Sequence, residues 1–273
     1  MMKIDFHTHC FPDTLAPRAM ESLCRHNTLE MNVTAHTDGT AAGAKKLLRS
    51  VGIDRAVVCN IATNARQETN VNSFAITLSE KDGDFFLPLG SLHPDSEQME
   101  RELDRLMAAG ITGIKLHSDY VGIELSDARY DRIFSLLEER GMFAVAHTGY
   151  DPVSPTHIHA TPEMLRGVID RHPRLRLVAA HMGGHRQLEG VMRCLVGTPI
   201  YLDTSLCSLR LHERERLVEI LRTHDENRLL FATDTPWSDP REELDFIASA
   251  GLDEGRLEKL YYKNALALLG KNM

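Results

Sequence analysis

The sequence predicts an α/β fold, a single (β/α)8 TIM barrel over residues 1–273 with its last helix packed outside, and three observations predict it. Eight short apolar or β-branched runs alternate with longer amphipathic stretches, the pattern of a parallel sheet joined by crossover helices. The chain has 273 residues, close to the roughly 250 common for such barrels. Five histidines and one aspartate close apolar runs spread along the whole chain. Residues so distant in sequence converge only when the strand ends share one sheet or barrel.

The predicted strands are residues 3–7, 55–61, 86–92, 113–117, 143–147, 176–181, 200–204 and 229–234. Between them, residues 97–109 carry Met99, Leu103, Leu106 and Met107 at helical spacing. Residues 127–140 put Tyr130, Ile133, Phe134 and Leu137 on one face. Thr161-Pro162-Glu163 reads as a helix N-cap, a first-turn proline and an early acid, opening a helix over 164–171. Helical patterns continue over 211–222 and 242–250, and a final helix over 257–269 has no strand after it. An open doubly wound sheet is the competing fold. It would carry a glycine-rich first turn, whereas the first strand here ends in HTHC and neither GxGxxG nor GxxxxGK[ST] occurs.

Composition narrows the function. With 42% hydrophobic residues the chain can build a sizeable core. The formal net charge of −8 argues against nucleic acid or a membrane surface as partner, though not against a small anionic substrate. The five cysteines, Cys10, Cys24, Cys59, Cys194 and Cys207, form no CxxC and read as reduced thiols. MMKIDFHTH has no apolar signal-peptide core, and no apolar run is long enough to span a bilayer. A cytoplasmic protein acting on a small molecule is the expectation.

The chemistry sits at the strand ends. His7 and His9 are two residues apart, so on a strand both imidazoles face the same side and can hold one ion, Zn²⁺ first. His147 and His181 each end an apolar run and precede glycine. Asp234, in ATDTPW, can bind a metal or take the proton of metal-activated water; a turn cap is its alternative. Lys115 and His117 share a face. A buried lysine there can grip a substrate carboxylate, be carboxylated and bridge two metals, or pair with an acid such as Asp203. Arg186, beside His185, is the candidate anion binder, because a guanidinium holds a carboxylate in bidentate fashion. Trp237 adjoins Asp234 and can wall a pocket. His157 and His159 read as lid residues and His93 as part of a turn. His26, His36, His172, His212 and His224 read as solvated. Substrate specificity is expected in loops 118–124, 150–160, 207–210 and 237–241.

Taken in order, DFHTH, GIKLH, AHTG, AHMGG, FATDTPW and the closing NALALLG resemble the amidohydrolase superfamily, in particular its amidohydrolase-related (amidohydrolase 2) branch. The likeness runs over essentially the full length. It implies a metal at the C-terminal ends of the strands, with His7, His9, His147 and Asp234 as main ligands. It makes His181 a second-metal ligand or an acid/base, and His117 the branch's fourth-strand histidine. Other groups of the superfamily carry a carboxylated lysine in the region of Lys115. One divalent ion is preferred to two; Mn²⁺, Fe²⁺ or Co²⁺ could replace Zn²⁺ in such a His/Asp site. A homodimer is a family-level expectation. The leading function is hydrolysis of an amide, lactone or ester, with Asp234, His181 and His117 as catalytic residues. The alternative is non-oxidative decarboxylation of a small aromatic or unsaturated acid at the same site. A non-enzymatic metal-binding barrel ranks third.

Overall fold

The computed structural model describes residues 1–31 and 33–270, and side chains except those of residues 26–31, so His26 lies outside the described side chains. Eight parallel strands run in sequence order: β1 (Ile4–Thr8), β2 (Arg55–Cys59), β3 (Phe86–Ser91), β4 (Gly113–Leu116), β5 (Phe143–Ala146), β6 (Arg176–Ala179), β7 (Tyr201–Asp203) and β8 (Leu229–Leu230). The segment after β8 returns to β1. Phe6 N–H donates to Phe231 at 2.8 Å, Asp234 N–H donates to His7 at 2.8 Å, and Thr8 bridges Thr235. The result is the expected (β/α)8 barrel, nearly closed.

Most predicted strands run past their observed C-terminal ends. His117, His147, His181 and Asp234 all lie beyond the ladder. For His181 and Asp234 the reason is conformational: φ of 57° and 69° is left-handed backbone that no strand accommodates.

Phe6 and Phe143 meet with ring centroids 5.9 Å apart, and on the strands Ile114, Val145, Val178 and Leu202 are fully buried. Each such side chain stabilises the fold by about 1.5–3 kcal/mol. The predicted helices form at Met99–Ala108, Ala128–Arg140, Pro162–Arg171, Arg214–Thr223 and Pro240–Ala248. Thr161 caps as expected, accepting from Met164 N–H at 3.3 Å. The last helical segment, Glu254–Glu258, a π turn Lys259–Lys263 and Asn264–Leu269, packs on the barrel. Phe231 N–H donates to Leu260 O at 2.9 Å, and Asn264 Nδ2 to Leu229 O at 2.8 Å.

Five further helices escaped the periodicity reading: Ala16–Met31, Ala41–Ser50, Glu68–Asp82, Ser118–Val121 and Leu188–Cys194. The third hides because its buried face is partly polar. Glu68 accepts from His93 N–H at 2.7 Å, and Asn72 from Ser91 N–H at 2.8 Å. Two expectations of solvated histidine are corrected. His172 is buried, 3.1 Å from Asp131, and His224 is buried with Nε2 donating to Ile200 O at 2.9 Å. Each ties a helix end to its neighbour, a role that local sequence context does not reveal. No helix among the described residues is long and apolar enough to cross a membrane.

Glu243 anchors the segment after β7. It accepts from Ser208 Oγ at 2.7 Å and Ser208 N–H at 3.1 Å, and burial pushes its carboxyl up to about 8. The folded state therefore keeps a proton that the unfolded chain releases near pH 4.5. This contribution to stability is fully present below that pH. It is lost as pH rises through about 8, by a few kcal/mol. Glu243→Gln keeps an acceptor but cannot ionise. Thermal melts from pH 5 to pH 8 are expected to flatten relative to wild type; an unchanged slope removes Glu243 from the titration.

Candidate metal centre and active site

A cavity of about 580 Å³ opens at the C-terminal ends of the strands. His7, His9, Lys115, His117, His147, His181, Asp234 and Trp237 all line it. Phe11, Leu23, Val71, Phe74, Tyr120 and Leu206 give it apolar walls. Lys115 is the one lysine or arginine among the described lining residues.

The β1 pair is oriented from behind. His7 Nδ1 donates to Asp203 at 2.9 Å, and His9 Nδ1 donates to the Cys59 carbonyl at 2.9 Å. Metal-ligating histidines are typically fixed in this way, the second nitrogen engaged by a carboxylate or carbonyl. Both Nε2 atoms consequently present lone pairs to the cavity. Asp234 Oδ1 lies 3.0 Å from His9 Nε2 and 3.5 Å from His7 Nε2. A carboxylate facing two imidazole lone pairs needs a cation or proton between them. The donor set therefore fits a divalent ion held by His7, His9 and Asp234, whose ligand atoms lie within 4.8 Å of one another. Lys115 is fully buried beside them, its Nζ 3.1 Å from His7 Nε2.

A relay runs around the barrel from Asp203. Ser205 Oγ donates to Asp203 and accepts from His181 Nδ1 at 2.7 Å. His181 Nε2 is thereby left as acceptor for His147 Nδ1 at 3.0 Å. His147 joins His117 and Asp151 in a second cluster rather than the group formed by His7, His9 and Asp234. Burial holds His7 below its ordinary range, with Lys115 adding to the effect. Burial drives His117, His147 and His181 well below theirs, reinforced by neighbouring cationic groups. Neutral imidazoles are the form that ligates a metal.

Backbone strain concentrates here, as it does at functional sites generally. Besides His181 and Asp234, Leu206 lies in the left-handed region with φ of 62°. Gly149 (φ 88°) serves a backbone contact: a Cβ there would stand 2.2 Å from His185 N and 2.3 Å from His185 O. Gly149→Ala is expected to cost several kcal/mol of stability in a denaturant melt; a loss below about 1 kcal/mol would show that β5 and β6 ends are not locked together.

Arg186 and His185 do not line the cavity. Arg186 is exposed and stacks its guanidinium 3.9 Å above the Tyr150 ring. His185 is buried with both ring nitrogens lacking a hydrogen-bond partner. Cys10 lines the cavity, but burial pushes its thiol up to about 12, so it stays protonated. His93 takes part in a turn, accepting from Asp95 N–H at 3.2 Å. Of the expected lid pair, His157 is exposed while His159 is bound to Asp119 at 3.0 Å.

Sequence reasoning missed Asp5, Asp119, Asp151 and Ser205, and gave Asp203 only the role of a partner for Lys115. Asp203 was findable, since it ends an apolar run as Asp234 does. Asp5 lies within β1, where it accepts from Thr233 Oγ1 at 2.6 Å and Thr233 N–H at 3.0 Å, joining β1 to the last segment of the barrel. Asp119 comes from the short helix Ser118–Val121 past β4 and Asp151 from the loop past β5, where no periodicity marks them.

Residues 4–271 match the sequence model of a family described as amidohydrolase. A search of curated proteins found no significant match. Among solved structures, an uncharacterized TIM-barrel protein from Bordetella bronchiseptica superposes with a TM-score of 0.77, at 17% identity and 99% coverage of both chains. 5-Carboxyvanillate decarboxylase from Sphingomonas paucimobilis gives 0.71 at 16% identity, again over 99% of both chains. Dihydroxybenzoic acid decarboxylase from Polaromonas sp. JS666, solved with manganese and the inhibitor 2-nitroresorcinol, gives 0.72 at 15% identity, over 98% of this chain and 97% of that one. At such identities the likeness is one of fold.

Proposed function

The chain belongs to the amidohydrolase family, and on that premise we propose that it is a metal-dependent decarboxylase of a small aromatic or unsaturated carboxylic acid. The observation that carries the reading is the cavity itself. Its walls are largely apolar, its histidines and Asp234 gather at the strand ends, and Lys115 is the one lysine or arginine among its described lining residues. That arrangement suits a flat apolar substrate with one acidic end. The decarboxylases that share the barrel add support. Both considerations reverse the order expected from sequence, in which hydrolysis came first.

His7, His9 and Asp234 would hold a divalent ion, Zn²⁺ to be tried first and Mn²⁺ beside it, which when bound would supply positive charge to polarise the acid's oxygens. The residues do the rest. Lys115 Nζ pairs with the substrate carboxylate in a site shielded from water. The apolar walls hold the ring so that its carboxyl-bearing carbon faces Asp234. Asp234 takes up a proton from solvent as the acid enters and delivers it to that carbon; the bond to the carboxylate then breaks, its electron pair returns to the ring, CO₂ leaves, and Asp234 is a carboxylate again. His181, held by Ser205, keeps His147 oriented.

The test is a panel of hydroxybenzoates and unsaturated acids, set against lactones and amides, with the protein loaded separately with Zn²⁺ and Mn²⁺. CO₂ release from an acid that has no hydrolysable bond supports the proposal. Hydrolysis of a lactone or amide, with no CO₂ from any acid, overturns it in favour of the hydrolase.

A further inference from the structure

Resting on the reading of a carboxylic acid held at the strand ends, we propose that this acid carries a neutral hydrocarbon substituent. The substituent lies in a groove between helices Ala16–Met31 and Glu68–Asp82, where Leu23 and Val71 select for it.

Size comes first. A cavity of about 150 Å³ is enough to bind benzene. The cavity here, at about 580 Å³, leaves most of its space empty around a single ring whose carboxylate meets Lys115. Its two ends also differ in origin. The histidines, Lys115 and Asp234 come from the strand ends, whereas Ala19, Leu23, Val71 and Phe74 come from the two helices.

Each helix presents a row of side chains to the cavity. Leu15, Ala19 and Leu23 stand four residues apart and share one side of a helical path, Ala19 N–H donating to Leu15 O at 3.0 Å. Gln67, Val71 and Phe74 repeat that kind of spacing at the second helix. The row that this helix turns to the barrel is a different one, the buried Glu68, Asn72, Ala75 and Leu78. Glu68 and Asn72 make the hydrogen bonds that seat it, to His93 N–H and Ser91 N–H. Val71 and Phe74 are only partly buried, and neither Leu23 nor Val71 packs against the hydrophobic core of the barrel. Apolar side chains that face a cavity instead of the core mark a ligand groove.

Charge decides what kind of substituent fits. Among the described lining residues, the helix side of the cavity holds no charged group. Of its polar members, Ser22 and Asn70 are exposed, and Gln67 Oε1 already accepts from Thr63 Oγ1 at 2.9 Å. A second carboxylate or an amine seated there loses water and gains no partner. A hydrocarbon instead gains about three- to fourfold in affinity for each methylene buried.

The experiment measures binding along a homologous series. Salicylate and its ring-alkylated derivatives, methyl through hexyl at each open position, are titrated calorimetrically into protein loaded with Zn²⁺, and CO₂ release is recorded for each. Wild type is expected to bind the best hexyl acid about 30- to 100-fold more tightly than salicylate. Leu23→Asp and Val71→Asp each place a carboxylate in the groove on a side chain outside the core. Both are expected to cut that ratio below about fivefold, with circular dichroism to verify folding. Should one variant fail to fold, the other carries the same readout. Salicylate bound as tightly as every alkylated acid overturns the inference and leaves the decarboxylase reading standing. A ratio that persists in both folded variants places the chain elsewhere and also overturns it. The expected ratio, lost in the variants but with no CO₂ from any acid, supports the groove and counts against decarboxylation alone. Binding of none of the acids overturns the substituent together with the reading on which it rests.

Discussion

Asp234→Asn is expected to lower kcat/KM by about 10³–10⁴ while the protein keeps its fold and its ion. The fold is expected to survive because asparagine tolerates the left-handed backbone that this position requires. The backbone is also held independently of the side chain, Asp234 N–H donating to His7 O at 2.8 Å. The ion is expected to stay because His7 and His9 remain oriented by Asp203 and the Cys59 carbonyl. What the amide removes is the oxygen that takes up the proton and passes it to the substrate carbon. Turnover of the substrate found in the panel, measured with metal content on the same sample, checks this. Wild-type turnover removes Asp234 from the proton step. Loss of the ion along with activity would make it chiefly a ligand.

Lys115→Met is the second large effect, with kcat/KM expected to fall about 10²–10³ through a raised KM. Methionine fills similar space, and the backbone bond from Ser91 Oγ to Lys115 O, 2.9 Å, does not involve the changed atoms. The fully buried amine has His7 Nε2 at 3.1 Å, so its replacement by an apolar side chain removes a buried polar group and is expected to hold or raise Tm. Metal content is expected to stay at the wild-type value. If the ion count falls with activity, Lys115 acts in the metal site instead, as a carboxylated lysine would. Thermal melts, ion count and KM together separate these outcomes.

Strand order, strand positions and the identity of most cavity residues were legible in the sequence because each strand is a short buried run whose last residue breaks the apolar pattern. HTH, KLH, AHT, AHM and ATD all carry that break, and six of the expected site residues, His7, His9, His117, His147, His181 and Asp234, line one cavity with Lys115. Arg186 shows the limit of the same reasoning. It follows a strand end as the others do, yet it is exposed and does not line the cavity, its guanidinium lying over the ring of the lining residue Tyr150. Helix Glu68–Asp82 shows another: a polar buried face defeats a rule built on apolar periodicity.

By itself, then, the sequence determined the barrel and the residues that crowd its mouth, because burial patterns and strand ends are local properties of the chain. Only the tertiary structure decided how those residues divide. His147 turns from the His7–His9–Asp234 group toward His117 and Asp151, and Asp203, Asp119 and Asp151 join the site. Which lone pair meets which carboxylate depends on hydrogen bonds between residues far apart in the chain, 196 positions in the case of His7 and Asp203. No local pattern encodes a contact between groups that far apart; it exists only once the barrel has brought the strand ends together.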